Sequence, residues 1–320
     1  MLKNKQNMQS LDQQREDSGF GTTYNKNASR MINANGSFNV KRMGASWQSV
    51  NLYQYLLSIS WLRFWAVILS FYLLFNLLFA FLYILVGANI NGIEPDANLW
   101  HRFAHAFFFS TQTFTTVGYG YLNPSGVVTN LIAALEAMSG LLAFAIATGL
   151  VYGRFSRPSA RIIFSRNALI SPHKNGQSLQ FRMANERSNK LIEVEVQLLM
   201  AYIEKQNEGV IKRRFLNLPL DINKVYFFPL NWSLVHTIEA DSPLYNLSEQ
   251  DYRERDIELL ILIKAFDDTF SQTIYIHHSY KWNEIVHNAK FSPMFYTDEQ
   301  EGITVLELDK INNYAALTKH

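Results

Sequence analysis

Between Phe64 and Val86 the chain runs FWAVILSFYLLFNLLFAFLYILV, 23 residues without a charged side chain. About 20 apolar residues cover the hydrocarbon core of a bilayer, so this run predicts a spanning helix. Trp61 and Trp65 stand at its start, where interfacial aromatics belong. A second long run, about Val127 to Tyr152, carries Glu136, Gly140 and Gly149, ends beside Gly153, and is rich in small residues. Such residues let a helix pack closely on its neighbours in lipid. Between the two spans lie a polar loop, GANINGIEPDANLW, and an apolar run from Phe103 to Phe114. That run is too short to cross and suits a re-entrant segment.

The flanks differ from this core. Residues 64–153 are almost free of Lys and Asp, while 154–320 have the composition of a soluble protein. Residues 1–33 are polar and lack the apolar stretch of a signal peptide, and they read as disordered. WQSVNLYQYLLSISW precedes the first span; Val50, Tyr53, Leu56 and Leu57 recur at helical spacing with Gln48, Asn51 and Gln54 opposite. That pattern fits an amphipathic helix on the membrane surface, or else an early start of the span. Basic residues flank the pair of spans: Lys3, Lys5, Arg15, Lys26, Arg30, Lys41, Arg42 and Arg63 before, Arg154, Arg157, Arg161 and Arg166 after, and only Arg102 between. The positive-inside rule then places both termini in the cytoplasm.

From about residue 163 the period changes. LIEVEVQLLMAYIE and DIELLILIKAFDDTFSQTIYIHHSY alternate or run apolar with β-branched residues, separated by turn signals at Asn175-Gly176, Asn207 to Gly209 and Asp267-Asp268. Regular short strands of this kind predict an antiparallel sandwich. The expected divisions are a disordered tail at 1–35, an N-terminal strand and surface helix at 36–60, a two-span pore module at 61–157 and a β-sandwich at 158–320.

TTVGYG, residues 115–120, sits between the spans. Non-helical backbone at membrane depth persists only when it is buried in protein or lines a water-filled path. A short re-entrant helix followed by this loop fits the second case. Glycine permits the positive φ that turns successive carbonyls to one side. TVGYG is the known potassium-filter sequence, in which four copies make rings of carbonyl oxygens that replace the ion's hydration shell. Here the carbonyls would come from Thr116, Val117, Gly118 and Tyr119, with the Thr116 hydroxyl at the inner end and Gly120 closing the loop. Val117 and Tyr119 side chains would brace the loop against the short helix.

No helix carries Arg at every third position, so no voltage sensor is expected. Two spans with a cytoplasmic β domain resemble the inward-rectifier potassium channels, in particular their bacterial branch. The resemblance runs from about Gly36 to Asn313 and rests on GSFNVKRMG, TTVGYG, TGLVYGRFSRP, FRMANERSNKLIEVEV, WSLVHTIEADSPL and FDDTFSQTIYIHHSY in that order. It implies a homotetramer in the bilayer with a slide helix, a pore helix, and an immunoglobulin-like sandwich extending the permeation path. It also implies hinge glycines at Gly140 and Gly149, a rectification position at Phe144 and a bundle-crossing constriction at Tyr152. Strong rectifiers carry a carboxylate at the rectification position, so Phe144 implies weak polyamine block. Filter support falls on Gln112, Thr115 and Tyr121; bacterial relatives typically have a glutamate at the first and often an aspartate at the last. Lys41, Arg42, Arg154, Arg157 and Arg161 match the region through which phosphoinositides control the family, or serve topology alone.

Glu136 has two readings: a ring of four carboxylates concentrating cations in the cavity, or a hydrogen bond to the pore helix. His277 and His278 point to opposite faces of a strand and cannot share one metal ion without help. No metal beyond potassium, no cofactor, no nucleic-acid partner and no enzyme activity is expected. A nucleotide-regulated channel lacks its Gly-rich strand–helix unit after residue 160. The remaining alternative is a membrane-anchored sandwich that binds partners and has a vestigial pore.

Overall fold

The computed structural model describes residues 19–21, 30–33, 35–41, 43–44, 51–87, 89–94, 97–156, 161–174, 176–205 and 211–317. Two compact units divide them, one made of residues 43–157 and the other of residues 1–42 with 158–320.

The first unit is helical. α1 spans Leu52–Ser58, with the Asn51 side chain accepting the Gln54 N–H at its start. Ile59 and Ser60 are extended, and α2, Trp61–Leu85, begins after them. The surface helix is therefore a separate element rather than an early turn of the span; its expected start, residues 47–50, lies outside the described residues. After α2, β1 (Asn89–Asn91) pairs antiparallel with β2 (Asn123–Ser125), which follows the TTVGYG loop. α3, Leu99–Phe114, is longer than the 12-residue apolar run. Its first turn, Leu99 to Arg102, precedes that run, and Asn98 caps it by accepting the His101 N–H at 2.9 Å. α4 runs unbroken from Val127 to Phe155, through both expected hinge glycines. Most of α2 and α4 is apolar and exposed on the single chain, as lipid-facing or subunit-facing helices are.

The second unit is a β-sandwich. Its strands in chain order are β3 (Ile162–Phe164), β4 (Ala168–His173), β5 (Gly176–Asn185), β6 (Leu191–Lys205), β7 (Ile211–Asn217), β8 (Lys224–Phe227) and β9 (Trp232–Ile238). A short helix, α5 (Glu249–Glu254), precedes β10 (Glu258–Asp267) and β11 (Gln272–Lys281). β12 (Ile285–His287), β13 (Ala289–Phe291), β14 (Phe295–Asp298), β15 (Ile303–Leu306) and β16 (Tyr314–Ala316) complete it. One sheet orders β11-β10-β6-β7 with β8 also on β6; the other orders β12-β4-β5-β3 with β9 also on β5. Alternate residues of β5 and β6, among them Leu179, Phe181, Met183, Val194, Val196 and Leu198, meet in the core between them. The sandwich is antiparallel as expected, with one parallel pairing, of β12 with β4.

Most of the tail expected to residue 35, namely 1–18, 22–29 and 34, lies outside the described residues, but residues 30–33 are described and bonded. Backbone N–H groups of Met31 and Ile32 donate to the buried Glu258 carboxylate at 2.9 and 3.5 Å. Arg30 donates to Ser279 Oγ and forks onto Glu284 at 3.1–3.2 Å. Ile32 bridges to Phe38. A polar stretch looks disordered by composition, yet here its backbone donors join Arg213 and Lys281, at 3.7 and 4.0 Å, around the buried Glu258 carboxylate.

Candidate functional site

α3 ends at Phe114, and the chain turns back through TTVGYG. Thr116, Gly118 and Gly120 have φ of +58°, +55° and +87°. Three successive N–H groups then point to one residue: those of Val117 and Gly118 donate to the Gln112 carbonyl at 2.9 and 3.3 Å, and that of Tyr119 to Gln112 Oε1 at 3.2 Å. In a trans peptide the carbonyl lies opposite the next residue's N–H. The carbonyls of Thr116, Val117 and Gly118 therefore point away from α3, in a row on one side of the loop. The Gly120 carbonyl, at the outer end of the loop, accepts from Asn123 Nδ2 at 3.1 Å.

Gln112 also donates through Nε2 to the Leu122 carbonyl at 3.1 Å. One side chain thus ties the loop on both sides, and its departure from a carboxylate is what supplies the second bond, since an amide donates and an ionised carboxylate cannot. Thr115 returns its hydroxyl to the Thr111 carbonyl at 2.7 Å, sealing the end of α3. The expected bracing by Val117 and Tyr119 is not found within one chain: Tyr119 is 84 % exposed, and Val117 and Tyr121 are exposed too.

Gly140 sits where α4 crosses the end of α3. A Cβ there would collide with the Phe114 carbonyl, whereas at Gly149 it would meet nothing within 4 Å. Glu136 is completely buried, bonded by Tyr83 Oη of α2 at 2.7 Å and by Ser110 Oγ of α3. Of its two readings, the hydrogen bond to the shorter helix is the one present here. Phe144 and Tyr152 are exposed and lie two turns apart on α4, hence on one face.

The basic set divides. Arg154 donates to the Leu56 and Ile59 carbonyls at the end of α1, at 2.5 and 2.7 Å, and its guanidinium lies 4.5 Å from the Trp61 ring centre. Half-buried, it caps the end of α1. Arg161 pairs with Glu186 at 2.6 Å and stays largely exposed, as does Lys41; Arg42 and Arg157 lie outside the described residues. His277 and His278 do face apart: the Phe38 ring packs on the first, and Phe164 stacks on the second at 4.2 Å.

Sequence reasoning missed Asn76, Tyr83 and Ser110. A lone Asn within an uncharged span was the available signal, since polar groups in hydrocarbon need partners.

Two helices long and apolar enough to cross a membrane, with a shorter helix and a glycine loop between them and a β-sandwich following in sequence, have the arrangement of a potassium-channel pore module joined to a β domain. Residues 162–318 match the inward rectifier potassium channel C-terminal domain, and residues 67–157 match the ion channel model. The chain is 35 % identical over 289 residues to the inward rectifier potassium channel Kirbac3.1 of Paramagnetospirillum magnetotacticum, covering 89 % of this chain and 96 % of that one. It is 26 % identical to the inward rectifier potassium channel 4 of Rattus norvegicus over 67 % of this chain and 51 % of the relative, and 26 % identical to that of Homo sapiens over 65 % and 49 %. The chain belongs to the inward rectifier potassium channel family. It is a two-span membrane protein and not an enzyme.

Proposed function

We propose that four copies of this chain surround one potassium-selective pore whose filter is the carbonyl row of Thr116 to Tyr119. The observation that carries this is the convergence of three N–H groups on Gln112, which turns the opposing oxygens to a common side. Tyr119 and Val117, exposed on one chain, then pack against the neighbouring copy. Tyr152 narrows the inner end, and Phe144, uncharged, binds cationic blockers weakly. Gating follows the cytoplasmic domain and anionic lipid. Lys41, Arg42, Arg157 and Arg161 remain as headgroup contacts, each worth about 1 kcal/mol near a charged surface.

Rubidium uptake into liposomes holding the purified protein tests this. Barium-sensitive uptake that excludes sodium is expected; its absence with and without phosphoinositide would favour the partner-binding sandwich with a vestigial pore. Gly118→Ala places a Cβ at φ +55°, costing about 1–2 kcal/mol. Loss of selective uptake with the tetramer retained is expected, and unchanged selectivity would refute the filter assignment.

A further inference from the structure

Three helices meet at one buried carboxyl. Asn76 and Tyr83 lie on α2, two turns apart on one face; Ser110 is on α3 and Glu136 on α4, and Asn76, Ser110 and Glu136 are all completely buried. Asn76 Nδ2 donates to the Tyr72 carbonyl at 2.7 Å, which fixes its amide with Oδ1 toward Ser110. Ser110 Oγ stands 3.0 Å from Asn76 Oδ1 and is also bonded to Glu136 Oε1. Tyr83 Oη donates to Glu136 Oε2.

A serine hydroxyl has one proton and here faces two acceptors. If Glu136 is ionised, Ser110 donates either to it or to Asn76, and the other oxygen is left buried without a donor. If Glu136 carries a proton on Oε1, every bond closes. The acid donates to Ser110 Oγ, Ser110 donates to Asn76 Oδ1, Asn76 donates to Tyr72, and Tyr83 donates to Glu136 Oε2. Among the described residues no Lys, Arg or His pairs with Glu136. An isolated charge in such a place is expensive, and a neutral acid is not.

We propose that Glu136 is held as the neutral acid and acts as a positioning residue for the filter, locking α3 between α2 and α4. Ser110 lies two positions before Gln112, whose backbone and side chain hold the loop. A displaced Ser110 carries Gln112, and with it the carbonyl row, out of place. The acid contributes no charge to the permeation path. Only the flux half of the test rests on the channel reading.

Infrared spectra of the purified full-length protein, wild type minus Glu136→Gln, decide the protonation state. The expected difference is one lost carbonyl band of a protonated carboxylic acid, and Ser110→Ala shifts that band. A difference confined to ionised-carboxylate bands overturns the proposal whether or not the protein conducts. For the positioning role, the rubidium-over-sodium uptake ratio is measured. Glu136→Gln, whose amide can still donate to Ser110 and accept from Tyr83, keeps the ratio within about twofold. Ser110→Ala lowers it about tenfold, the scale of one buried hydrogen bond. A purely structural role would reduce the yield of folded protein and leave the ratio alone, so an unchanged ratio in folded Ser110→Ala overturns the positioning half. Should Ser110→Ala fail to fold, Asn76→Leu is read in the same two assays with the same criteria.

Discussion

Gly140 and Gly149 occupy the same helix and carry the same label in the family pattern, but their surroundings separate them. At Gly140 a methyl group runs into the Phe114 backbone, which cannot yield without moving the start of the filter loop. At Gly149 it enters open space, and a helix interior gains up to about 1 kcal/mol from Ala in place of Gly. Gly140→Ala should therefore abolish selective rubidium uptake, and Gly149→Ala should raise or preserve the melting temperature of the detergent-solubilised protein; the two melts and two flux assays check this. Gln112 yields a second residue-scale prediction. In Gln112→Glu an ionised carboxylate can still accept the Tyr119 N–H, but it sets an oxygen against the Leu122 carbonyl. Only the protonated acid can donate there. Uptake by that variant should fall at high pH and recover as pH is lowered, while the wild type shows no such recovery; a flat profile in the variant would show that the Leu122 bond does not matter.

At the scale of elements, Arg154 fastens α1 to the end of α4. Its two terminal nitrogens reach two carbonyls of one helix end, a geometry that lysine's single ammonium cannot reproduce. Arg154→Lys and Arg154→Gln should weaken the protein alike, by about 1.5–3 kcal/mol per lost charged hydrogen bond, read as a loss of thermal stability. If charge toward lipid were the role, Lys would rescue and Gln would not. The elements themselves were largely legible in the sequence. Apolar length found α2 and α4: 23 uncharged residues for the first, and for the second a long run broken only by Glu136. Alternation with β-branched residues found the sandwich, and the glycines of TTVGYG marked the non-helical turn after α3. Less visible were features created by pairing between distant segments: the parallel β12–β4 edge, the arm at 30–33 and the use of Arg154 as a cap. Composition sees a basic residue near a membrane; only the fold shows which carbonyls it meets.

At the scale of the whole molecule, stability depends on how many titrating groups the fold hides. His278 lies on Phe164 and against Tyr280, and burial, aided by the nearby Arg30 guanidinium, pushes it down to about 4. The unfolded chain takes up that proton near the ordinary value of about 6.5. The folded state's advantage is complete above that value, is lost as pH falls from about 6.5 to about 4, and is on the order of 3 kcal/mol in all. Burial lowers His236, His277 and His287 in the same direction, so acid weakens the fold at several sites together. His278→Phe keeps a ring against Phe164 and removes the largest of these titrations. The wild-type melting temperature should fall when the full-length protein is taken from neutral pH to about pH 5, and the variant's should fall measurably less. The same slope in both proteins would mean that His278 takes its proton without disturbing the strand, and that the acid sensitivity lies with the other three histidines.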